Sequence, residues 1–278
     1  MMIRKLLQYI VFCLVAPALC FGCAWPVKED NKTNEMNMMR RQADEEKAKT
    51  FWKTDEVRPQ YLALARDLIG RRFYEVALVQ LDKAAEESPN EPEVFHLKGV
   101  CHRELKDYKT AETSFKRALA LDPDFAPAHD GLAMTYELMG EKERAWDYFT
   151  KAIKLNPARP DYYNNLGFSK MRVGDLEEAE RWFRKSIALE PGFKTAVNNL
   201  AICLGLAGRD QEALALLRKS ATPAAACNNM GVIHLIKGER EKALAMFGRA
   251  VAMDPNFKEA ARNMATLQGR EDHRRQPD

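Results

Sequence analysis

The amino-acid sequence predicts an all-α fold, an array of six helix pairs closed by a capping helix, on three observations. Ala77, Ala111, Ala145, Ala179, Ala213 and Ala243 step by 34 residues four times and then by 30. Leu81, Phe115, Phe149, Phe183, Leu217 and Phe247 follow them by four residues, and Ala65, Gly99, Ala133, Gly167, Ala201 and Gly231 precede them by twelve. Pro89, Pro123, Pro157, Pro191 and Pro255 close every repeat but the fifth. A period of this length, with small, aromatic and proline positions in phase, marks stacked helical supersecondary units.

The elements follow in chain order. Arg4 and Lys5 precede an apolar run from Leu6 to Leu19, broken by Gln8 and Pro17, and a small-residue exit at Gly22. That arrangement predicts a secretory signal peptide over residues 1–22. The run is shorter than the ~20 residues of a membrane span, with a signal-anchor helix as the other reading. Cys23 follows Gly22 directly and resembles the modified cysteine of a bacterial lipoprotein lipobox. Cys20 departs from that motif, which has Leu, Val or Ile there; ordinary cleavage after Ala24 is the rival reading. Residues 23–57 begin polar, with Pro26, Asn31, Asn34 and Asn37, and become rich in helix formers from Glu35 to Lys53. They read as a tether with one loosely held helix, reaching roughly 30 Å if wholly flexible.

The six repeats are 58–91, 92–125, 126–159, 160–193, 194–223 and 224–257. In the fourth, Pro160 opens helix A and Tyr163, Leu166, Gly167 and Met171 mark its apolar face. Gly174-Asp175 breaks the helix, and Leu176, Ala179, Phe183 and Ile187 mark helix B before Pro191. One helix pair cannot bury both faces, so stability must come from neighbouring repeats. The fifth repeat lacks four residues, which predicts a shortened helix B and a local change of curvature before the sixth. Residues 258–268, apolar through Ala261, Met264 and Ala265, read as the capping helix, and residues 269–278 as an unstructured charged tail.

Tyr163, Leu166, Gly167, Gly174, Ala179, Phe183 and Pro191 make the pattern resemble the tetratricopeptide repeat. The first repeat departs with Arg72 at the turn and Leu81 at the aromatic position, the second with Lys98 and Lys106. The resemblance implies a right-handed solenoid whose A helices line a concave groove.

Removing residues 1–22 takes away Arg4 and Lys5 and no acid, leaving 41 basic side chains against 40 acidic. No cationic excess remains for nucleic acid. The sequence has no phosphate-cradling glycine loop and no paired-cysteine or His-Glu-x-x-His spacing, so neither metal, cofactor nor catalytic centre is expected. Cys101 and Cys203 share a register position with Thr135 and Ser169 and read as small interface residues.

One constellation points to binding. Asn164-Asn165, Asn198-Asn199 and Asn228-Asn229 recur at the same two positions of helix A in repeats four to six. Phe168 with Met171, Ile202, and Val232 with Leu235 follow one turn later. Carboxamides beside apolar pockets suit a protein or peptide segment, amides holding its backbone and pockets its side chains. The competing reading assigns the asparagines to local hydrogen bonding. The groove of repeats two and three is charged instead, through His96, Arg103, Glu104, Asp130 and Glu137.

These readings describe a non-catalytic protein-interaction scaffold in the bacterial envelope. It would face the periplasm from the outer membrane through a lipid on Cys23, or be soluble there under the rival cleavage. Leader, tether and repeats together resemble tight-adherence pilus assembly lipoproteins and type IV pilus pilotins. That resemblance implies a secretin or another pilus assembly component as partner. A general periplasmic assembly or chaperone factor, and the regulatory module of an exported enzyme, are the alternatives.

Overall fold

A computed structural model describes the backbone of residues 61–275 and the side chains of residues 61–268. The leader, Cys23 and the tether lie outside the described residues. Thirteen helices and no strand are found among the described residues, divided into two compact halves between Pro157 and Ala158.

The first half holds α1 (Tyr61–Gly70), α2 (Tyr74–Glu87), α3 (Pro92–Glu104), α4 (Tyr108–Leu121), α5 (Ala126–Met139) and α6 (Lys142–Leu155). The second holds α7 (Pro160–Val173), α8 (Leu176–Leu189), α9 (Lys194–Leu206), α10 (Asp210–Ser220), α11 (Pro223–Ile236), α12 (Arg240–Met253) and α13 (Lys258–Arg275). Odd-numbered helices are the A helices of the repeats and even-numbered ones the B helices.

Local chemistry starts and stops them. Pro92, Pro160 and Pro223 open α3, α7 and α11, where the missing N–H has no partner to lose. Asp107, Asp175 and Thr222 accept from the backbone N–H groups of Thr110, Glu178 and Ala225 at 3.2, 3.3 and 3.2 Å. The turn from A to B requires a left-handed residue at one fixed register position. Gly140, Gly174, Gly208 and Gly238 supply it at φ of 85°, 88°, 80° and 78°. Arg72 and Lys106 occupy the same position at φ of 67° and 66°. The array therefore holds two L side chains in the geometry that glycine takes elsewhere, at a cost of roughly 1–2 kcal/mol each. Lys106→Gly is accordingly expected to raise stability by about 0.5–1 kcal/mol, read as a higher urea midpoint. A lower midpoint would mean that the lysine side chain contributes more than the strain removes.

Packing follows the register. The six alanines of the 34-residue beat are fully buried, as are Leu81, Phe115, Phe183 and Phe247. A methyl group on Gly167 would stand 2.9 Å from the Phe183 ring, and one on Gly231 2.6 Å from Phe247. The small residue is thus what lets helix A lie directly on the aromatic ring of helix B.

Two features differ in length from the other elements. Helix α10 has 11 residues against 14 in the other B helices, as the missing four residues of repeat five imply. Helix α13 continues to Arg275, past the expected end at Gln268, which corrects the reading of residues 269–275 as part of an unstructured tail. After Gly269 nothing in the run Arg270–Arg275 stops a helix, and Pro277 is the first residue that does. Helix α13 also keeps the repeat register. Asn263 and Ala265 lie 34 residues after Asn229 and Gly231, and Ala260 and Leu267 are buried. It is the A helix of a seventh, half repeat.

Candidate interaction groove

The asparagines of α7, α9 and α11 are placed unevenly. Asn164, Asn199 and Asn228 are buried, Asn165 and Asn229 half-buried, and Asn198 exposed. Their carboxamides bond to one another across neighbouring A helices. Asn199 Nδ2 donates to Asn164 Oδ1 at 2.8 Å, Asn229 Nδ2 to Asn198 Oδ1 at 3.3 Å, and Asn263 Nδ2 to Asn228 Oδ1 at 3.0 Å. In every rung the sixth residue of one repeat donates to the fifth residue of the repeat before it. This corrects the expectation that the amides of Asn164, Asn199 and Asn228 hold a bound segment, because these three side chains are buried and bonded to neighbouring amides. The reason is geometric: adjacent A helices lie close enough for short carboxamides to meet.

The ladder makes a stability prediction. Asn199→Ala leaves the buried Asn164 oxygen without that donor and is expected to cost about 1–3 kcal/mol. Asn198→Ala, at an exposed position, is expected to cost about 0.5 kcal/mol. Urea unfolding of the two variants checks this, and equal small losses would remove the ladder as a packing device.

The apolar residues divide similarly. Met171 and Ile202 are buried, while Phe168, Val232 and Leu235 remain half-buried along the groove. Between α9, α11 and α13 the groove deepens into a pocket of about 180 Å³. Ile202, Val232, Ile233 and Leu217 give its apolar lining, with Asn198, Asn229 and Glu259 as its polar members. Four of these residues were legible in the Asn and apolar pattern. Leu217, Ile233 and Glu259 were not, and Glu259 becomes visible only when α13 is read as a seventh helix A. Leu217 occupies the register position held elsewhere by Phe115, Phe149, Phe183 and Phe247, so the smaller side chain leaves room there. Ile233 stands where earlier repeats have Cys101, Thr135, Ser169 and Cys203. Its extra bulk is accommodated by Gly205, whose Cβ position lies 2.3 Å from Ile233 Cγ2.

In the second half, Asp210, His234 and Glu239 bring one ligand-type atom each to within 4.8 Å of one another. The Lys237 ammonium already lies 2.7 Å from Asp210 and 3.4 Å from Glu239, and His234 Nδ1 lies 2.6 Å from Glu239 Oε2. The hydrogen bond with His234, with Lys237 and Lys242 nearby, holds the Glu239 carboxyl below its usual range. This is an ion-pair network joining α10 to the α11–α12 turn, and its positive centre is a lysine. Cys101, Cys203 and Cys227 are free and buried, and burial pushes the first two thiols up to about 12. Such thiols stay protonated and are poor nucleophiles.

In the first half the charged residues are partly spent on one another. Arg103 pairs with Glu104 at 3.0 Å and donates to Met134 Sδ, while Asp130 and Glu137 are buried. His96 is enclosed between the rings of Phe115 and Phe125, each 5.6 Å away.

Tetratricopeptide-repeat models match residues 92–125, 126–159, 160–193 and 224–257, four of the helix pairs described above. The chain carries tetratricopeptide repeats. Solved tetratricopeptide structures share the fold. The type IV pilus biogenesis factor PilW is 21% identical, with 77% of this chain covering 100% of that one at a TM-score of 0.61. PilF of Pseudomonas aeruginosa is 20% identical over 74% of this chain and 96% of its own, at 0.56. A tetratricopeptide repeat protein of Parabacteroides merdae is 16% identical over 95% and 99%, at 0.57. Among curated proteins, mouse Superkiller complex protein 3 is 45% identical over 56 residues, 20% of this chain. The chain spans about 4% of that relative's length. Tetratricopeptide repeats are protein-binding scaffolds, and no helix among the described residues is long and apolar enough to cross a membrane.

Proposed function

We propose that this chain is an exported, lipid-anchored scaffold whose second-half groove holds a protein segment during assembly of an envelope complex. A pilus secretin is the complex favoured. The observation carrying this reading is the half-open face of α7, α9 and α11, where Phe168, Val232 and Leu235 stay partly exposed beside a formed pocket. The leader, the Gly22-Cys23 pair and the fold shared with PilW and PilF support export, anchoring and a role in pilus biogenesis. The scaffold catalyses nothing itself, in keeping with its repeat composition.

Anchoring has a direct expected outcome. Stable membrane binding takes two lipid signals, which a multiply acylated cysteine provides. Cys23→Ser should move the protein from the membrane to the soluble periplasmic fraction and abolish palmitate labelling. Unchanged fractionation would remove the lipid anchor from the reading. The partner is tested by in vivo cross-linking. Secretin subunits should cross-link to the parent protein and not to a Phe168→Ser/Val232→Ser variant of unchanged helicity. Cross-links only to non-secretin envelope proteins would leave a general assembly factor in its place.

A further inference from the structure

We infer that the C-terminal ends of α8, α10 and α12 form a surface that rests on an anionic phospholipid membrane. The inference uses the anchoring part of the reading above, not the groove, and adds which side of the second half meets lipid. Charge is separated along each of these B helices. Acids stand in the opening turns, as at Glu177, Glu212 and Glu241. The closing stretches 181–189, 215–220 and 245–253 carry six Arg and Lys side chains and no acid. Two acids, Glu190 and Asp254, follow α8 and α12, so the cations outnumber them at this end.

Helix dipoles favour that polarity but give no reason for apolar side chains at the same end. Leu189 and Met253 are the two large hydrophobic residues left exposed among the described residues of the second half, at 46% and 54%. Each stands four residues after a cation and therefore on its helix face: Lys185 before Leu189, Arg249 before Met253. Lys219 holds the same register position on α10, 34 residues after Lys185 and 30 before Arg249. Arg181 and Arg184 are spent on Glu178 and Glu180. Lys185, Lys219 and Arg249 are exposed and join no ion pair among the described residues. Lys185 lies instead over the half-buried Trp182, 4.6 Å from its ring centroid.

Free cations, an amphipathic indole and exposed aliphatic tips on one face are the composition of a surface at the lipid headgroup boundary. The cations are spread over three helices, which suits a plane of phosphates better than one acidic chain in a cleft. A tether reaching roughly 30 Å from an acylated Cys23 holds the array beside the leaflet, so a weak attraction is sufficient. Contact through B helices also leaves the A-helix groove open to a protein partner.

The test uses the full mature chain with Cys23→Ser, so that no lipid contributes, and vesicles of phosphatidylcholine with or without about one-third phosphatidylglycerol. The protein should sediment with the anionic vesicles and not with pure phosphatidylcholine, and about 0.5 M salt should weaken binding at least ten-fold. Each cation at such a surface is worth about a five-fold gain. Lys185→Gln/Lys219→Gln/Arg249→Gln should therefore bind more than ten-fold more weakly at unchanged helicity. Leu189→Ser/Met253→Ser should lose about three- to ten-fold. Lys109→Gln/Lys142→Gln/Lys242→Gln removes the same charge from the opening turns of B helices and should bind almost as the parent does. No sedimentation with anionic vesicles, equal losses in the two triple variants, or binding to polyglutamate without binding to vesicles would each overturn the inference. Palmitate labelling of the parent protein separates it from the anchor. Labelled protein whose Cys23→Ser form ignores anionic vesicles keeps the anchor and loses this surface.

Discussion

Phe115→Ala is expected to destabilise the first half by about 3–5 kcal/mol, among the largest losses that one substitution can cause. The ring is fully buried and is wedged among three helices. Methyl groups placed on Gly99 of α3 and Gly131 of α5 would stand 2.8 and 2.4 Å from it. Removing the ring therefore opens a void bounded by backbone on two sides, and helical backbone cannot move in to refill it as a side chain would. Hydrogen exchange should show the loss shared by α3, α4 and α5, because each repeat is stabilised by its neighbours. Protection lost in α4 alone would show that the repeats fold independently. The converse substitution, Gly131→Ala, should cost less. Overpacking of about 1–3 kcal/mol is partly offset by the better helix propensity of alanine.

The second large effect is pH-dependent. Burial lowers the His96 pKa to about 4, with the Arg103 charge adding to the shift and Glu93 opposing it. Its buried Nδ1 has no hydrogen-bond partner and the rings of Phe115 and Phe125 lie 5.6 Å away, so a proton placed on Nδ1 would find no acceptor. The sign follows from proton counting. Between pH 4 and about 6.5 the unfolded chain carries a proton on this histidine and the folded chain does not. Stability is thus fully present above pH 6.5, falls as the pH drops, and has lost about 2–3 kcal/mol from this group by pH 4. Carboxylates such as Glu112, held low by Lys116 and Tyr136 against desolvation, lose their contribution only at more acidic pH. His96→Leu should flatten the slope between pH 6.5 and 4.5 in urea titrations. An unaltered slope would assign it to other groups.

Most of the fold was legible because each repeat states its packing in sequence. Ala111 and Phe115 with Gly99 specify a helix crossing by their spacing alone, and recurrence in phase removes the ambiguity that a single amphipathic segment carries. Arg72 and Lys106 show the limit of local rules: both obscure the turn, yet the surrounding helices impose the left-handed backbone on them. The groove was less legible. Sequence identified Asn198, Asn229, Ile202 and Val232 as neighbours but could not say which amide faces a ligand and which faces another amide. That choice depends on the distance between adjacent A helices, which no single repeat encodes. Glu259 was missed because α13 lacks a B helix, and with it the alanine and aromatic beat by which the other repeats were recognised.

The carboxamide ladder has a direction. Helices α7, α9 and α11 each carry an acceptor at the fifth position and a donor at the sixth, and in each of the three rungs the donor reaches back to the preceding helix A. A repeat of this kind is a cassette: copied whole into the array, it would arrive with both halves of a new rung. Loss of a turn from a B helix, as in α10, leaves the rungs intact because they run only through A helices. The scheme ends at α13, where Asn263 donates backward while the fifth position is Arg262, a side chain with donors and no acceptor. Arg262 therefore offers no acceptor for a further rung. It terminates the chain of amides so that neither a further repeat nor the start of another molecule can be hydrogen-bonded onto its end in the same way.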